Sequence, residues 1–150
     1  MEILATNKKA SWNYHILDTI VAGIVLRGAE VKATKNKKID ISGAYVIIRK
    51  GEVFLINASI APYQPNNPSA SFDPNRTKKL LLKKREIQHL SQKIKEKGLT
   101  LIPLKVYNDK GLIKIELGLA KGKRSFDKRK QLKEREIKRK IARAKKENIF

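Results

Sequence analysis

Residues Thr100–Leu119 read TLIPLKVYNDKGLIKIELGL, two apolar runs separated by Asn108-Asp109-Lys110-Gly111. Within the second run, Ile113-Lys114-Ile115-Glu116-Leu117 alternates strictly. A period of two sends alternate side chains to opposite faces, one buried and one wet, as in an antiparallel sheet. The polar, glycine-bearing turn then makes the stretch a β-hairpin. Its mirror lies earlier in the chain, where Ala44–Arg49 and Glu52–Ala58 are β-branched and aromatic runs joined at Lys50-Gly51.

Between the hairpins, Ser59–Arg76 holds Pro62, Pro65, Pro68 and Pro74 and reads as a long loop of the kind that is functional or mobile. Leu80–Leu82 read as a short strand feeding a helix of about fourteen residues, in which Ile87, Leu90 and Ile94 keep helical spacing. Gly98 stops that helix after Lys95 and Lys97, and its basic face (Lys84, Arg85, Lys95) is expected to point outward. Toward the N-terminus, Met1–Ala5 fits a short strand and Asn7, Lys8 and Lys9 a basic turn. Trp12–Leu26 fits a long strand with Tyr14, Ile16, Ile20, Ala22, Ile24 and Leu26 on one face. Leu17, Val21 and Val25 on its other face predict partial cover on both sides, and Gly23 predicts a bulge or bend there. Ala29–Lys35 allows two helical turns after Gly28. These elements predict a mainly β fold, a small closed antiparallel OB-like barrel with flanking helices, one of which plugs an end. An α+β sandwich is the competing arrangement.

Residues 121–150 differ from everything before them. They carry 14 Lys/Arg against 4 acidic residues, a net +10, with apolar side chains too sparse for a core. Like charge repels itself, so the segment is expected to be disordered when free and to become helical on a dense polyanion. Helix is permitted by the absence of Pro and Gly after Gly122 and by Glu134/Lys138 and Glu136/Lys140, four residues apart in the favourable order. The alternative is a solvated helix packed on its own domain by Leu132, Ile137 and Ile141. The predicted organisation is therefore a domain over residues 1–120 and a basic tail over 121–150.

The remaining 1–120 hold 21 basic and 10 acidic residues, so the body is basic too, at +11 of the total +21. Charge spread over two segments favours an extended phosphate backbone over a small acidic ligand. No apolar run is long enough for a membrane span and no targeting pattern occurs, so a cytoplasmic protein with no membrane partner is expected. Zero cysteines exclude disulfides and thiolate metal sites. His15 and His89 lack zinc-ligand spacing, the carboxylates are few and dispersed, and no Walker loop, nucleophile elbow or dinucleotide fingerprint is present. No metal, cofactor or enzymatic activity is therefore expected. Aromatics beside cations (Trp12, Tyr14, Tyr107, Phe126) could stack on bases. Core packing explains Tyr14 and Tyr107 better, whereas Phe126 has no core to join. Glu30, an acid among Arg27, Lys32, Lys35, Lys37 and Lys38, could fix a basic side chain, accept from a base edge, or complement the helix dipole.

Taken in order, Asn7-Lys8-Lys9-Ala10, Ala22–Leu26, Gly28–Lys32, Ala44-Tyr45-Val46, Asn57-Ala58, Asp73-Pro74, Lys79–Leu82, Arg85-Glu86, Lys97-Gly98, Gly118–Lys123 and Asp127-Lys128-Arg129 resemble the SsrA-binding protein (small protein B) family over nearly the whole chain. The resemblance implies an OB-like barrel that holds the tRNA-like part of transfer-messenger RNA, and a tail that occupies the decoding centre and the empty mRNA channel of stalled ribosomes. By position it implies RNA contact around Asn7, Lys8, Lys9, Glu30, Lys32 and Lys35. It implies ribosome contact by Lys121, Lys123, Phe126, Asp127, Lys128 and Arg129, and by Lys133 and Arg135 in the Lys133–Glu136 segment that turns helical in the channel. The chain departs from the family at Lys35, where Arg is common, at Ser11-Trp12, and around Ala144. A monomer is expected. The alternative function is that of a general rRNA-binding or ribosomal OB-fold protein.

Overall fold

The computed structural model describes residues 1–63, 72–122 and the helix 125–146, with side chains in that helix described from 132 to 142. In chain order the elements are β1 (Glu2–Thr6), α1 (Ala10–Asn13), β2 (Tyr14–Ile24), α2 (Gly28–Lys35), β3 (Ile39–Asp40), β4 (Tyr45–Arg49) and β5 (Glu52–Ile56). They continue with β6 (Ser59–Ile60), β7 (Lys78–Leu81), α3 (Lys84–Lys97), β8 (Thr100–Asp109), β9 (Leu112–Gly122) and α4 (Ser125–Lys146). The protein is mainly β. Seven strands follow one another by hydrogen bonding in the order β1-β8-β4-β5-β7-β2-β9, all antiparallel, and β9 also pairs with β8. The short strands β3 and β6 pair separately.

Both hairpins form as expected, and both turns are tighter than composition alone would fix. Lys50 (φ 53°) with Gly51 (φ 75°), and Lys110 (φ 50°) with Gly111 (φ 88°), each put two consecutive residues at positive φ. That is the type I′ pattern whose twist matches the flanking strands. β9 runs on to Gly122, where it pairs with Tyr14, so ordered pairing passes two residues beyond the boundary drawn from charge.

The interior is lined by Val53, Leu55, Leu80, Leu101, Val106, Ile115 and Leu117, each nearly inaccessible to water. Leu90 of α3, flanked by Ile87 and Ile94, packs against this core, which is why α3 keeps a 3.6-residue apolar rhythm. Its basic residues Lys84, Arg85 and Lys95 face solvent. Gly98 ends it in the left-handed conformation (φ 62°). A second, smaller cluster sits outside the first: Ala10 of α1 meets Ile102 and Ala120, with Tyr14, Ile16 and Leu104 around them. The side chain of Leu104 crowds Gly118, where a Cβ would sit 3.1 Å from it.

Three expectations along β2 are corrected. The first two residues of the expected strand, Trp12 and Asn13, instead complete the short helix α1, whose Ala10 packs against Ile102 of β8 and Ala120 of β9. The irregularity lies between Ile16 and Asp18, not at Gly23. Gly23 pairs regularly with both Leu81 and Lys114, and its missing side chain accommodates Leu81, whose Cβ would lie 3.3 Å away. Leu17, Val21 and Val25 are not covered: each remains exposed.

Candidate nucleic-acid interface

The basic residues picked out near the N-terminus sit on a rigid corner. Asn7 donates its backbone N–H to the carbonyl of Leu104 (2.8 Å) and its side-chain amide to that of Pro103 (3.0 Å). Both carbonyls belong to the place where the β8–β9 register shifts, so Asn7 fastens the start of α1 to a bulge of β8. Lys8 and Lys9 follow it and are exposed. A groove of about 440 Å³ opens beside them, lined by Asn7, Lys9, Asn13, Ser42, Tyr45 and Thr100 among others. Ser42, in that lining, donates both its backbone N–H (2.9 Å) and its hydroxyl (2.7 Å) to Asp40 Oδ1. These bonds, with the nearby charge of Lys9, outweigh partial burial and hold the Asp40 carboxyl below its ordinary pKa.

In α2, Lys32 and Lys35 are exposed. Asn36 closes the helix by donating its side-chain amide to the Lys32 carbonyl (2.8 Å). Glu30 is the opposite case, only 3 % exposed. Its Oε1 accepts from the backbone N–H of Arg27 (2.8 Å), capping the helix, and from Arg76 Nη2 (2.6 Å), while Oε2 accepts from Arg76 Nε (3.1 Å). Burial pushes its pKa up, but the Arg76 and Arg27 bonds and the charges of Arg76 and Lys78 override that and hold it below the usual value. Of the roles open to this carboxylate, the geometry displays two: it fixes a basic side chain, Arg76, and it sits in the first turn of α2 as the partner of the helix N-terminus.

Arg76 and Lys78 complete the arrangement, and sequence reasoning passed over both. Arg76 also donates from Nη2 to the carbonyl of Val25 (3.3 Å) and from Nη1 to that of Thr77 (3.2 Å). Lys78 is fully buried, its Nζ donating to the carbonyls of Ala58 (2.9 Å) and Arg76 (2.7 Å). Desolvation pushes its pKa down and Arg76 adds to this, against the pull of Glu30. The pair Glu30–Arg76 spans 46 positions of sequence, so no local spacing could announce it. Lys78 stood in a run of basic residues that gave no sign one of them turns inward. Together they bolt α2 to the end of β2 and the start of β7, and so fix where Lys32 and Lys35 stand.

Lys121 is exposed at the end of β9. Lys123 lies outside the described residues. Phe126, Asp127, Lys128 and Arg129 fall within α4, where only the backbone is described. Lys133 and Arg135 are exposed on α4. Leu132 and Ile137 are each 50 % exposed and Ile141 45 %, so these residues are not buried in the body. The Arg135 guanidinium lies 5.0 Å from the ring centroid of Trp12, against α1. Tyr107 is a core residue and Tyr14 packs on the outer cluster, as expected. Among the described residues no three His, Asp or Glu side chains converge as metal ligands would.

An antiparallel β body with cations displayed on a fixed corner and a cationic helix at its end defines the class: a basic β protein with the charge layout of a nucleic-acid binder. Residues 4–147 match the family model described as SmpB protein, and the chain belongs to that family. It is 52 % identical over 141 residues to an SsrA-binding protein of Streptococcus uberis, covering 94 % of this chain and 90 % of the relative. It is 49 % identical over 142 residues to an SsrA-binding protein of Thermosipho africanus, covering 94 % and 95 %. A solved chain from work described as "tmRNA-SmpB: a journey to the center of the bacterial ribosome" superposes with a TM-score of 0.66 at 45 % identity, over 80 % of this chain and 84 % of the other.

Proposed function

We propose that this protein binds the tRNA-like domain of transfer-messenger RNA and delivers it to stalled ribosomes for trans-translation. In this reading the C-terminal tail senses an empty mRNA channel and decoding centre. The observation that carries it is the division of charge between a body with its own core and a tail without one. Among the described residues, all buried core residues lie between Leu4 and Ala120, while 121–150 add a net +10. The family and the two kinds of relative supply the RNA; the charge layout supplies the division of labour.

The body is read as a closed OB-like barrel. In support, the pairing of β8 with β9 joins elements separated by the rest of the strand order, so the circuit β8-β4-β5-β7-β2-β9 returns to β8. Asn7, Lys8, Lys9, Lys32 and Lys35 are assigned to the RNA, with Glu30 acting from inside by holding α2 in place. Lys121, Lys123, Phe126, Asp127, Lys128, Arg129, Lys133 and Arg135 are assigned to the ribosome. The tail is read as disordered when free and helical when bound. An isolated helix with this density of like charge is marginal in water through self-repulsion, and it gains most from a phosphate-lined channel. A channel already holding message would exclude it, so binding energy is conditional on vacancy. The protein acts as an adaptor, with no bond chemistry of its own, in the cytoplasm where ribosomes work.

Identifying the RNA that copurifies with the protein from its own cell tests the reading. Transfer-messenger RNA is expected. Recovery of ribosomal RNA alone would overturn it in favour of a general rRNA-binding role.

A further inference from the structure

We propose that Trp12 is the seat of the C-terminal helix, and that its contact with Arg135 sets the direction in which the tail leaves the body. The proposal deepens the functional reading above and rests on it for its purpose, and it narrows that reading in one respect: the free tail is a marginal helix that samples this seat, not a chain disordered throughout. Trp12 is the protein's one tryptophan. It stands on α1, a single turn pinned to the body by Ala10, which is 5 % exposed against Ile102 and Ala120. Its ring is therefore presented from a fixed base. The Arg135 guanidinium at 5.0 Å from the centroid lies within cation–π range.

Among the described residues, the other large apolar side chains of α4 do not serve as the anchor. Leu132, Ile137 and Ile141 of α4 stay about half exposed. The helix is joined to the body through β9, whose last residue Gly122 pairs with Tyr14, two positions from Trp12. A covalent tether at Gly122 and a contact at Arg135 are two points on one line, and two points fix an axis. Without the second, a segment of net +10 beside a body of net +11 would swing away by repulsion.

The seat is weak by design of its chemistry. An exposed cation–π pair biases a population only about two- to five-fold. Phosphate oxygens offer the same guanidinium charge-assisted, bidentate bonds, which are stronger. RNA phosphate would therefore lift Arg135 off Trp12, so the tail is held near its starting direction until a polyanion takes it.

Acrylamide quenching of the single tryptophan reads the contact in the full-length protein without RNA. Arg135→Gln should raise the quenching constant by about two-fold, whereas Arg139→Gln, which removes the same charge one turn further along α4, should leave it unchanged. Hydrogen exchange of the α4 amides gives a second readout. Trp12→Leu and Arg135→Gln should each speed it by about two- to five-fold, and the double variant no further, since both remove one interaction. A melting temperature close to that of the parent shows that the body is intact in each variant. Equal quenching in Arg135→Gln and the parent, an equal effect from Arg139→Gln, or additive exchange would overturn the seat. None of these measurements contains RNA, so the seat can fail while transfer-messenger RNA still copurifies, and the reverse.

Discussion

At Glu30 a carboxylate in a cationic neighbourhood has been drawn inward, where its two oxygens accept three hydrogen bonds from Arg27 and Arg76. Glu30→Ala would strip the N-cap partner from Arg27 and leave Arg76 half-solvated beside an apolar gap. A cost of about 2 kcal/mol is expected in urea unfolding, discounted from the fully buried case because Arg76 is partly exposed. RNA affinity should fall as well, through misplacement of Lys32 and Lys35. Glu30→Gln, which keeps an acceptor for Arg27, should recover part of both. The same group sets an acid limit. Because the folded pKa is depressed, its contribution is fully present above the ordinary value of 4.5 and is lost as pH falls through the lower folded value. Asp40, depressed by Ser42, acts in the same direction. Stability measured by urea titration should therefore decline below about pH 4.5, and the Glu30→Gln profile should be flatter across that window. A parallel profile would show that other carboxylates dominate acid unfolding.

At the scale of elements, α3 ends where it does because Gly98 adopts φ 62°. A Cβ there would meet nothing within 4 Å, so the cost of Gly98→Ala is conformational alone, about 1 kcal/mol, and Gly98→Asn should cost less. Thermal melts of the two variants check the order. Such features were legible because their physics is local: a helix stop, the Lys50-Gly51 turn and the alternation of Ile113–Leu117 all announce themselves within a few residues. β2 was harder. The apolar Leu17, Val21 and Val25 imitate a covered face, yet remain exposed, and hydropathy cannot tell which side another layer will occupy. The shift between Ile16 and Asp18 lies opposite Ala120 and Leu119 of a strand a hundred residues away. Gly23 looked like the bend, but what it answers to is Leu81, on β7. In the candidate site the split was the same. Lys8, Lys9, Lys32 and Lys35 were visible as charge, whereas Arg76 and the inward turn of Lys78 depend on contacts made only after the chain has closed. α1 was missed because four residues carry too little periodicity to reveal a helix.

The whole molecule carries net charge in two nearly equal shares, +11 on residues 1–120 and +10 on 121–150, and the two are expected to answer to different polyanions. Counterion release makes this separable. If the full-length protein meets on the order of 6 phosphates of a tRNA-like transcript, the log–log slope of affinity against salt should be roughly −4 for single-stranded contacts and steeper for duplex. A chain ending at Gly122 keeps every core residue that is buried among the described residues, and the last β2–β9 pair, so it should fold. Since its cations are the ones assigned to the transcript, it should retain most of that slope, while tagging of stalled chains is lost. Filter binding of both proteins over a range of salt, with a tagging assay alongside, gives the comparison. A nearly flat response in the shortened protein would mean that the tail, not the body, meets the transcript's phosphates. The proposed division between grip and probe would then have to be abandoned.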